Sequence, residues 1–244
     1  MAIVIGNTTW WLKDLDRGRK YVSTQIVVQN NLILNVDAGV SDSYNGSGTT
    51  WTDLSGNGNN GTLVNGVGFD GGNFGSLSFD GVDDYVNFSF VNPFAETVIV
   101  WVRSATSNWN QFGWISSSRR QNGHIFHPNV GSREVAFYVL DSSASTILIT
   151  SVVPTDITIP HMYAYTTNGS NSHKVYFDGQ LSGESTSSVG RTPTPSSQVW
   201  YVGRDDYGGR YGNGSVYNVT RYNRALTASE IQFNFEALRG RYGI

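Results

Sequence analysis

Short apolar runs separated by turns rich in Gly, Asn and Ser extend over most of the chain from Leu32 onward. Runs of four to eight residues with such boundaries are typical of β-strands. Residues 97–102 (TVIVWV) are almost wholly apolar, which indicates a strand buried on both faces. Strands are predicted at residues 32–36, 76–79, 85–88, 97–102, 112–116, 135–140, 146–150, 162–166, 174–177, 199–202 and 215–222.

One helix is predicted near the C-terminus. Thr227 and Glu230 have the spacing of a capping box, in which each side chain bonds a backbone N–H at the start of a helix. Apolar residues then recur at helical spacing as far as Leu238, and Gly240 is a suitable end. Many strands and one late helix predict an all-β fold, a sandwich of two antiparallel sheets.

The first 30 residues differ from the rest and are predicted to form an N-terminal arm or edge extension before a domain at residues 31–244. They combine apolar anchors with charges that alternate in sign. The alternative is an ordinary first strand pair inside the sandwich. Trp and Arg often dominate binding energy at interfaces. The candidate subunit-contact residues are Ile3, Ile5, Trp10, Trp11, Arg17 and Arg19, with Arg239, Arg241 and Tyr242 at the other end.

Composition excludes several classes of protein. The net charge is -3 and only 14% of residues are charged, so a nucleic-acid partner is not expected. Cysteine is absent, which excludes disulfides and thiolate metal sites. No apolar run approaches the ~20 residues of a membrane span, so no membrane insertion is expected. The first ten residues lack the features of a secretory signal, and we expect synthesis in a host cytoplasm.

Five motifs occur in order along the chain, at residues 47–63, 78–86 (SFDGVDDYV), 97–102, 174–179 (KVYFDG) and 222–231. Together they resemble the laminin G-like jelly-roll family, which has the concanavalin A-like lectin/glucanase fold. The resemblance implies a two-sheet jelly roll with one short C-terminal helix. Residues 32–39 and 235–244 resemble the versions of this domain in virion proteins of tailed phages.

The family's closing strand often carries acidic residues that help to hold a structural calcium. The matching positions here are Tyr217 and Asn218. An aromatic and an amide are poor replacements for carboxylates around a hard cation. We therefore expect no cofactor, and a calcium site of the family's type is doubtful.

The sequence offers little for catalysis. Glycan-cleaving enzymes need paired carboxylates across a cleft, and none of the five glutamates has a second acid close by on a β-stretch. Residues 66–71 match G-x-G-x-x-G, but no helix follows, so a loop is expected. His124 and His127 have no ligand partner nearby in sequence and are expected on the surface or in a loop. The protein is predicted not to be an enzyme.

Two loops carry aromatic and polar residues of the kind that bind sugars on sandwich rims. The alternative is that these aromatics pack the rim or contact another subunit. The candidate carbohydrate-binding residues are Trp109 and Trp114 in one loop, and Asp205, Asp206, Tyr207, Arg210 and Tyr211 in the other.

The resemblance to phage proteins favours a structural virion protein, either a capsid decoration (cement) subunit or a tail or fibre component. Its partners would be other virion proteins, possibly including copies of itself. The second hypothesis is a carbohydrate-binding adhesin module for host-surface glycans. A glycan-cleaving enzyme is the third.

Overall fold

The computed structural model describes residues 2–5, 8–11, 27–72, 74–111, 115–118, 122–143, 146–150, 153–192, 197–205 and 209–244. For residues 2–5 and 8–11, and for 146–150 apart from Ile149, it describes the backbone alone. The strands in chain order are β1 (Ala2–Ile5), β2 (Thr8–Trp11), β3 (Leu32–Asp37), β4 (Thr50–Trp51), β5 (Gly61–Val64), β6 (Gly68–Asp70), β7 (Ser76–Asp80), β8 (Tyr85–Phe90), β9 (Glu96–Ser104), β10 (Ser116–Ser118), β11 (His124–Pro128), β12 (Val135–Leu140), β13 (Thr146–Thr150), β14 (His161–Thr167), β15 (His173–Phe177), β16 (Gln180–Ser185), β17 (Gln198–Val202) and β18 (Asn213–Tyr222). One helix, α1 (Ala228–Tyr242), follows.

Two antiparallel sheets form a jelly-roll sandwich, which confirms the predicted fold class. One sheet has the order β13-β12-β11-β10-β17-β8-β5-β4, and we call it the open sheet. The other has the order β16-β15-β14-β9-β18-β7-β6, and we call it the covered sheet. Its long strand β18 pairs with β9 on one side, and on the other side first with β7 and then with β3.

The main core fills the space between the sheets. Val98, Val100 and Val102 of β9 point into it, and Phe88 and Trp200 meet them from the open sheet. All are buried, and each is worth roughly 1.5–3 kcal/mol relative to an exposed side chain.

A second core lies between the covered sheet and α1. Because side chains alternate along a strand, Ile99 and Trp101 point away from the main core and toward the helix. The Trp101 ring stacks on Phe235, with centroids 5.7 Å apart, and touches Tyr242 at 4.5 Å. This explains why residues 97–102 are apolar throughout.

The helix begins as predicted and ends later. Thr227 and Glu230 form both bonds of the capping box. Gly240 lies inside the helix, and the C-cap is Gly243, which has a left-handed φ of 76°. The prediction that Gly240 ends the helix is therefore wrong. Helix α1 continues because Tyr242 is buried against the covered sheet.

The sequence missed strands that are short or polar, namely β4, β5, β6, β11 and β16. Gly68–Asp70 is a strand inside the segment expected to be a loop. His124 and His127 both lie on β11, and His124 is fully buried, so the expectation of surface histidines was wrong for it. Predicted strand residues 112–114 lie outside the described part of the chain.

The N-terminal strands β1 and β2 pair with each other as a separate two-stranded sheet. The chain next enters the described structure at Val27, which is buried with α1 residues in the second core. The Val28 N–H donates to Asn234 Oδ1 at 2.8 Å. Residues 27–30 therefore contact the sandwich, while residues 12–26 lie outside the described part. No helix in the described residues is long and apolar enough to cross a membrane.

Candidate functional site

Two neighbouring strands of the open sheet present tyrosines on the outer face. Strands β8 and β17 pair with Val86 opposite Val202, and both valines are buried in the main core. Because side chains alternate, Tyr85 and Tyr201 lie on the outer face. Both are half-buried, and their rings are 5.7 Å apart at an interplanar angle of 78°.

The loop after β17 folds back and brings two more side chains to these rings. Arg204 and Tyr211 form an isolated antiparallel bridge, and the Asp205 N–H donates to the Arg210 carbonyl at 3.2 Å. The buried Asp205 carboxylate also forms an ion pair with Arg210 at 3.2 Å. These contacts close the loop like a small hairpin and fix Arg204 beside Tyr211.

Two further residues, Gly203 and Asn110, fix the position of this loop. Gly203 has a φ of 90°, and a Cβ there would lie 2.5 Å from the Phe79 ring, so the position requires glycine. Asn110 donates from Nδ2 to the Tyr211 carbonyl at 3.1 Å and accepts from the Asn213 N–H at 3.0 Å. Asn110 was missed from the sequence because nothing local marks it.

The Arg204 guanidinium lies against three tyrosine rings. Its central carbon is 4.7 Å from the centroid of Tyr85, 4.6 Å from that of Tyr201 and 5.5 Å from that of Tyr211. Each distance is within the range of a cation–π contact. Arg204 Nε donates to the Asp205 carbonyl, and no hydrogen bond among the described residues uses its terminal amino groups. We call Tyr85, Tyr201, Arg204 and Tyr211 the Arg204 platform.

The structure sorts the predicted carbohydrate-binding residues. Tyr211 belongs to the Arg204 platform, and Asp205 and Arg210 support its loop. Trp109 is only 1% exposed, its indole N–H donates to the Arg133 carbonyl, and its ring contacts Tyr163. This burial removes the reason for assigning Trp109 to a sugar-binding surface. The remaining candidates, Trp114, Asp206 and Tyr207, lie outside the described residues.

The predicted C-terminal contact residues serve the fold of this chain. Arg241 makes a two-pronged ion pair with the buried Asp37, at 2.6 and 2.9 Å. Tyr242 packs on Trp101, and Arg239 pairs with Glu236 on the helix surface. Arg17 and Arg19, and the side chains of Ile3, Ile5, Trp10 and Trp11, lie outside the described residues.

Three carboxylates converge in the turn between β7 and β8, close to the Arg204 platform. One oxygen each from Asp80, Asp83 and Asp84 lies within 4.8 Å of the others, and we call the three the acidic cluster. Burial raises the pKa of Asp84, and the nearby charges of Asp80 and Asp83 also raise it, against the lowering effect of the hydrogen bond from the Asp80 N–H. At the positions matched to the family's calcium ligands, Tyr217 and Asn218 are both buried, and Asn218 Nδ2 donates to the Val36 carbonyl at 2.9 Å.

A buried charged network crosses the interior at the opposite end of β8. Glu96 is fully buried, and its two oxygens accept from Arg191 Nη2 at 2.7 Å and from Arg221 Nη2 at 2.7 Å and Nε at 3.1 Å. Burial alone would raise the pKa of Glu96, but Arg191, Arg221 and His124 hold it well below its ordinary value. Arg221 also lies 4.6 Å from the Phe90 ring centroid.

His124 completes the network as a neutral ring. The Trp200 indole N–H donates to His124 Nε2 at 2.9 Å. An indole nitrogen can only donate, so the ring proton lies on Nδ1, which is 3.5 Å from Glu96 Oε1. Burial lowers the pKa of His124, and Arg221 and Arg191 lower it further against the opposing effect of Glu96. The network therefore carries one negative and two positive charges near neutral pH.

Solved structures with this architecture share little sequence with the chain. Domain 4 of an extracellular arabinanase from Geobacillus stearothermophilus, solved with arabinotriose, has a TM-score of 0.62 at 15% identity, covering 84% of this chain and 98% of that one. The binding domain of botulinum neurotoxin DC, solved with SialylT, has a TM-score of 0.63 at 13% identity, covering 86% and 52%. The binding domain of Paraclostridial Mosquitocidal Protein 1 has a TM-score of 0.62 at 14% identity, covering 85% and 52%. The chain thus spans about half the length of these toxin domains.

No curated protein matches the sequence. A family model described as the concanavalin A-like lectin/glucanases superfamily matches residues 80–232, which is more than half of the chain. The matched segment includes the acidic cluster, the Arg204 platform and the start of α1. The chain therefore belongs to the concanavalin A-like lectin/glucanase superfamily.

Proposed function

We propose that this protein is a non-catalytic carbohydrate-binding module, and that the Arg204 platform contacts a surface glycan. The observation that carries the proposal is the guanidinium held between three half-buried tyrosine rings on an outer sheet face. Tyrosine rings offer an apolar face to sugar C–H groups, and their hydroxyls and the guanidinium offer hydrogen bonds.

The platform is held rigidly by the fold, which favours binding. Tyr85 and Tyr201 lie on paired strands, and Arg204 and Tyr211 are joined by a backbone bridge. Little side-chain freedom is then lost when a ligand binds, so more of the contact energy appears as affinity. The arabinotriose and SialylT complexes of similar domains support glycans as the ligand class.

The absence of catalysis is part of the proposal. Each of the five glutamates has a partner within the fold. Glu96 lies in the buried network, Glu230 caps α1 and pairs with Arg224, Glu236 pairs with Arg239, Glu184 lies 4.0 Å from Lys174, and Glu134 accepts from Asn129. A glycosidase would require two carboxylates placed across the sugar.

The proposal is tested by glycan-array retention of the protein and of two alanine variants, Tyr201→Ala and Arg204→Ala. Both should lose about tenfold or more of their affinity for the glycans retained, because each removes a main contact of the platform. Tyr138→Ala is the matched control, since Tyr138 is a half-buried tyrosine on β12 of the same sheet and is not part of the platform. Melting temperatures should remain close to that of the parent protein.

Equal retention of the parent, Tyr201→Ala and Tyr138→Ala proteins would show that the Arg204 platform is not the binding site. Release of reducing sugar from any retained glycan would overturn the non-catalytic part of the proposal.

A role in a tailed-phage virion, as a capsid decoration, tail or fibre component, is a second proposal. It is supported by the resemblance of residues 32–39 and 235–244 to phage proteins and by the separate pairing of β1 with β2. The partners would be other virion proteins, met through the N-terminal segment. The two proposals are compatible, because the Arg204 platform and that segment are different parts of the chain.

A further inference from the structure

A concave site distinct from the Arg204 platform lies at the other end of β8. Its cavity of about 540 Å³ is bounded by the segment after β8, by the turn before β5 and by the residue after β18. Ligand pockets commonly have volumes of about 300–1,000 Å³. Because β8 runs from Tyr85 to Phe90, the cavity and the Arg204 platform are separated by about 17 Å along the strand.

We propose that this cavity binds a neutral sugar residue, independently of the Arg204 platform. Its walls carry the half-buried Asn59 and the exposed Asn223, together with two serines and exposed apolar side chains, and the buried Asn92 lies behind them. Among the described residues, no charged side chain lines it. Amides and hydroxyls match sugar hydroxyl groups, and the apolar side chains match the C–H face of a pyranose or furanose ring.

The amide of Asn59 is fixed by the fold. Its backbone N–H donates to Asp53 Oδ2 at 3.0 Å, and its Nδ2 donates to the Ile33 carbonyl at 2.7 Å. The side-chain carbonyl oxygen is therefore the acceptor that remains for a ligand hydroxyl. A prearranged acceptor gives affinity because little freedom is lost on binding.

The amide of Asn92 is fixed by the buried network. Its Oδ1 accepts from Arg221 Nη2 at 2.9 Å, and Arg221 is in turn bonded to Glu96. Asn92 is itself fully buried, so it supports the wall from behind and does not reach a ligand. The ion pair between Arg221 and Glu96 therefore supports this wall of the cavity.

Phe94 supplies the apolar surface. Its side chain is 43% exposed, and its neighbour in the cavity wall, Val91, is 50% exposed. Charges behind the walls have opposite signs, since Asp53 lies behind Asn59 and Arg221 behind Asn92. A neutral ligand fits this balance better than an anion or a cation.

The test is an NMR titration of the full chain with four methyl glycosides, those of glucose, galactose, mannose and arabinose, and with glucuronate as the charged comparison. We expect at least one neutral glycoside to shift the side-chain amide signals of Asn59 and Asn223, with a Kd in the millimolar range. Phe94→Ala should weaken that binding about tenfold. Leu181→Ala is the control, because Leu181 is similarly exposed, at 50%, and does not line the cavity.

Three results would overturn the proposal: no shift of these amides with any neutral glycoside at about 50 mM, equal effects of Phe94→Ala and Leu181→Ala, or tighter binding of glucuronate. Tyr201→Ala should leave these shifts unchanged. If Tyr201→Ala abolishes them while Phe94→Ala does not, the sugar binds at the Arg204 platform, and this proposal fails while the proposed function stands.

Discussion

Replacement of Glu96 by Gln should destabilise the protein more than any other single loss of charge among the described residues. The variant keeps the size of the side chain and removes the negative charge that faces Arg191 and Arg221. All three side chains are fully buried. Two guanidinium groups would then remain in the interior without a counter-charge, and such a loss typically costs about 3–5 kcal/mol.

That cost is a large share of the about 5–15 kcal/mol by which native domains are usually stable. For a chain of this size it corresponds to a fall in melting temperature of about 6–20 °C. Urea unfolding is the assay, with fluorescence as the signal because Trp200 touches the network through His124.

Glu184→Gln is the matched control. Glu184 is an exposed partner 4.0 Å from Lys174, and exposed pairs of this kind contribute about 0–1 kcal/mol. If the free energy of unfolding of Glu96→Gln lies within about 1 kcal/mol of that of the parent protein, Glu96 does not stabilise the two arginines, and our account of the network is wrong.

The other predictions concern acid stability, the second core, the N-terminal segment and metal ions. The pKa of His124 is lowered in the folded protein, so its contribution to stability is complete above the ordinary value of 6.5 and should fall as the pH drops below that value. The pKa of Glu96 is also lowered, so stability should fall further below pH 4.5 as the Glu96 carboxylate is protonated. Urea midpoints at several pH values measure both effects, and His124→Gln should flatten the fall that begins at pH 6.5. Trp101→Ala removes a fully buried ring that stacks on Phe235 and should cost about 3–5 kcal/mol by urea unfolding, whereas a cost below about 1 kcal/mol would contradict its place in the core. Deletion of residues 1–26 should leave a sandwich that is folded by circular dichroism but no longer joins the virus particle. Deletion of residues 1–30 should also destabilise the sandwich, because it removes the buried Val27. Normal incorporation of the protein that lacks residues 1–26 would argue against the virion proposal. Chelation by EDTA should leave the melting temperature unchanged. A clear rise on adding calcium that is lost in Asp83→Asn would instead place an ion at the acidic cluster.

Local sequence determined the elements whose signals are contained in a few neighbouring residues. The capping box needs only Thr227 and Glu230, and both of its bonds are present. The apolar run of β9 predicted burial on both faces, and the two cores confirm it. Such signals survive because the residues that form the structure are also adjacent in the chain.

Tertiary structure decided where buried polar groups lie. Strand β11 carries histidines at both ends of its central apolar pair, a pattern that does not predict a buried strand. His124 is buried there because Trp200, which is distant in sequence, donates to Nε2, and Glu96 lies 3.5 Å from Nδ1. The end of α1 depends on tertiary structure as well, because Tyr242 packs against Trp101 of β9.

The candidate site shows the same division most clearly. The sequence marked the polar loop that contains Asp205, Arg210 and Tyr211, because Gly-rich polar loops with aromatics commonly bind ligands. It gave no reason to choose Arg204, Tyr85 or Tyr201. Their convergence depends on the pairing of β8 with β17 and on a loop that folds back beside them. Strand register fixes which side chains share a sheet face, and register between distant segments is a property of the whole sandwich and of no single stretch of sequence.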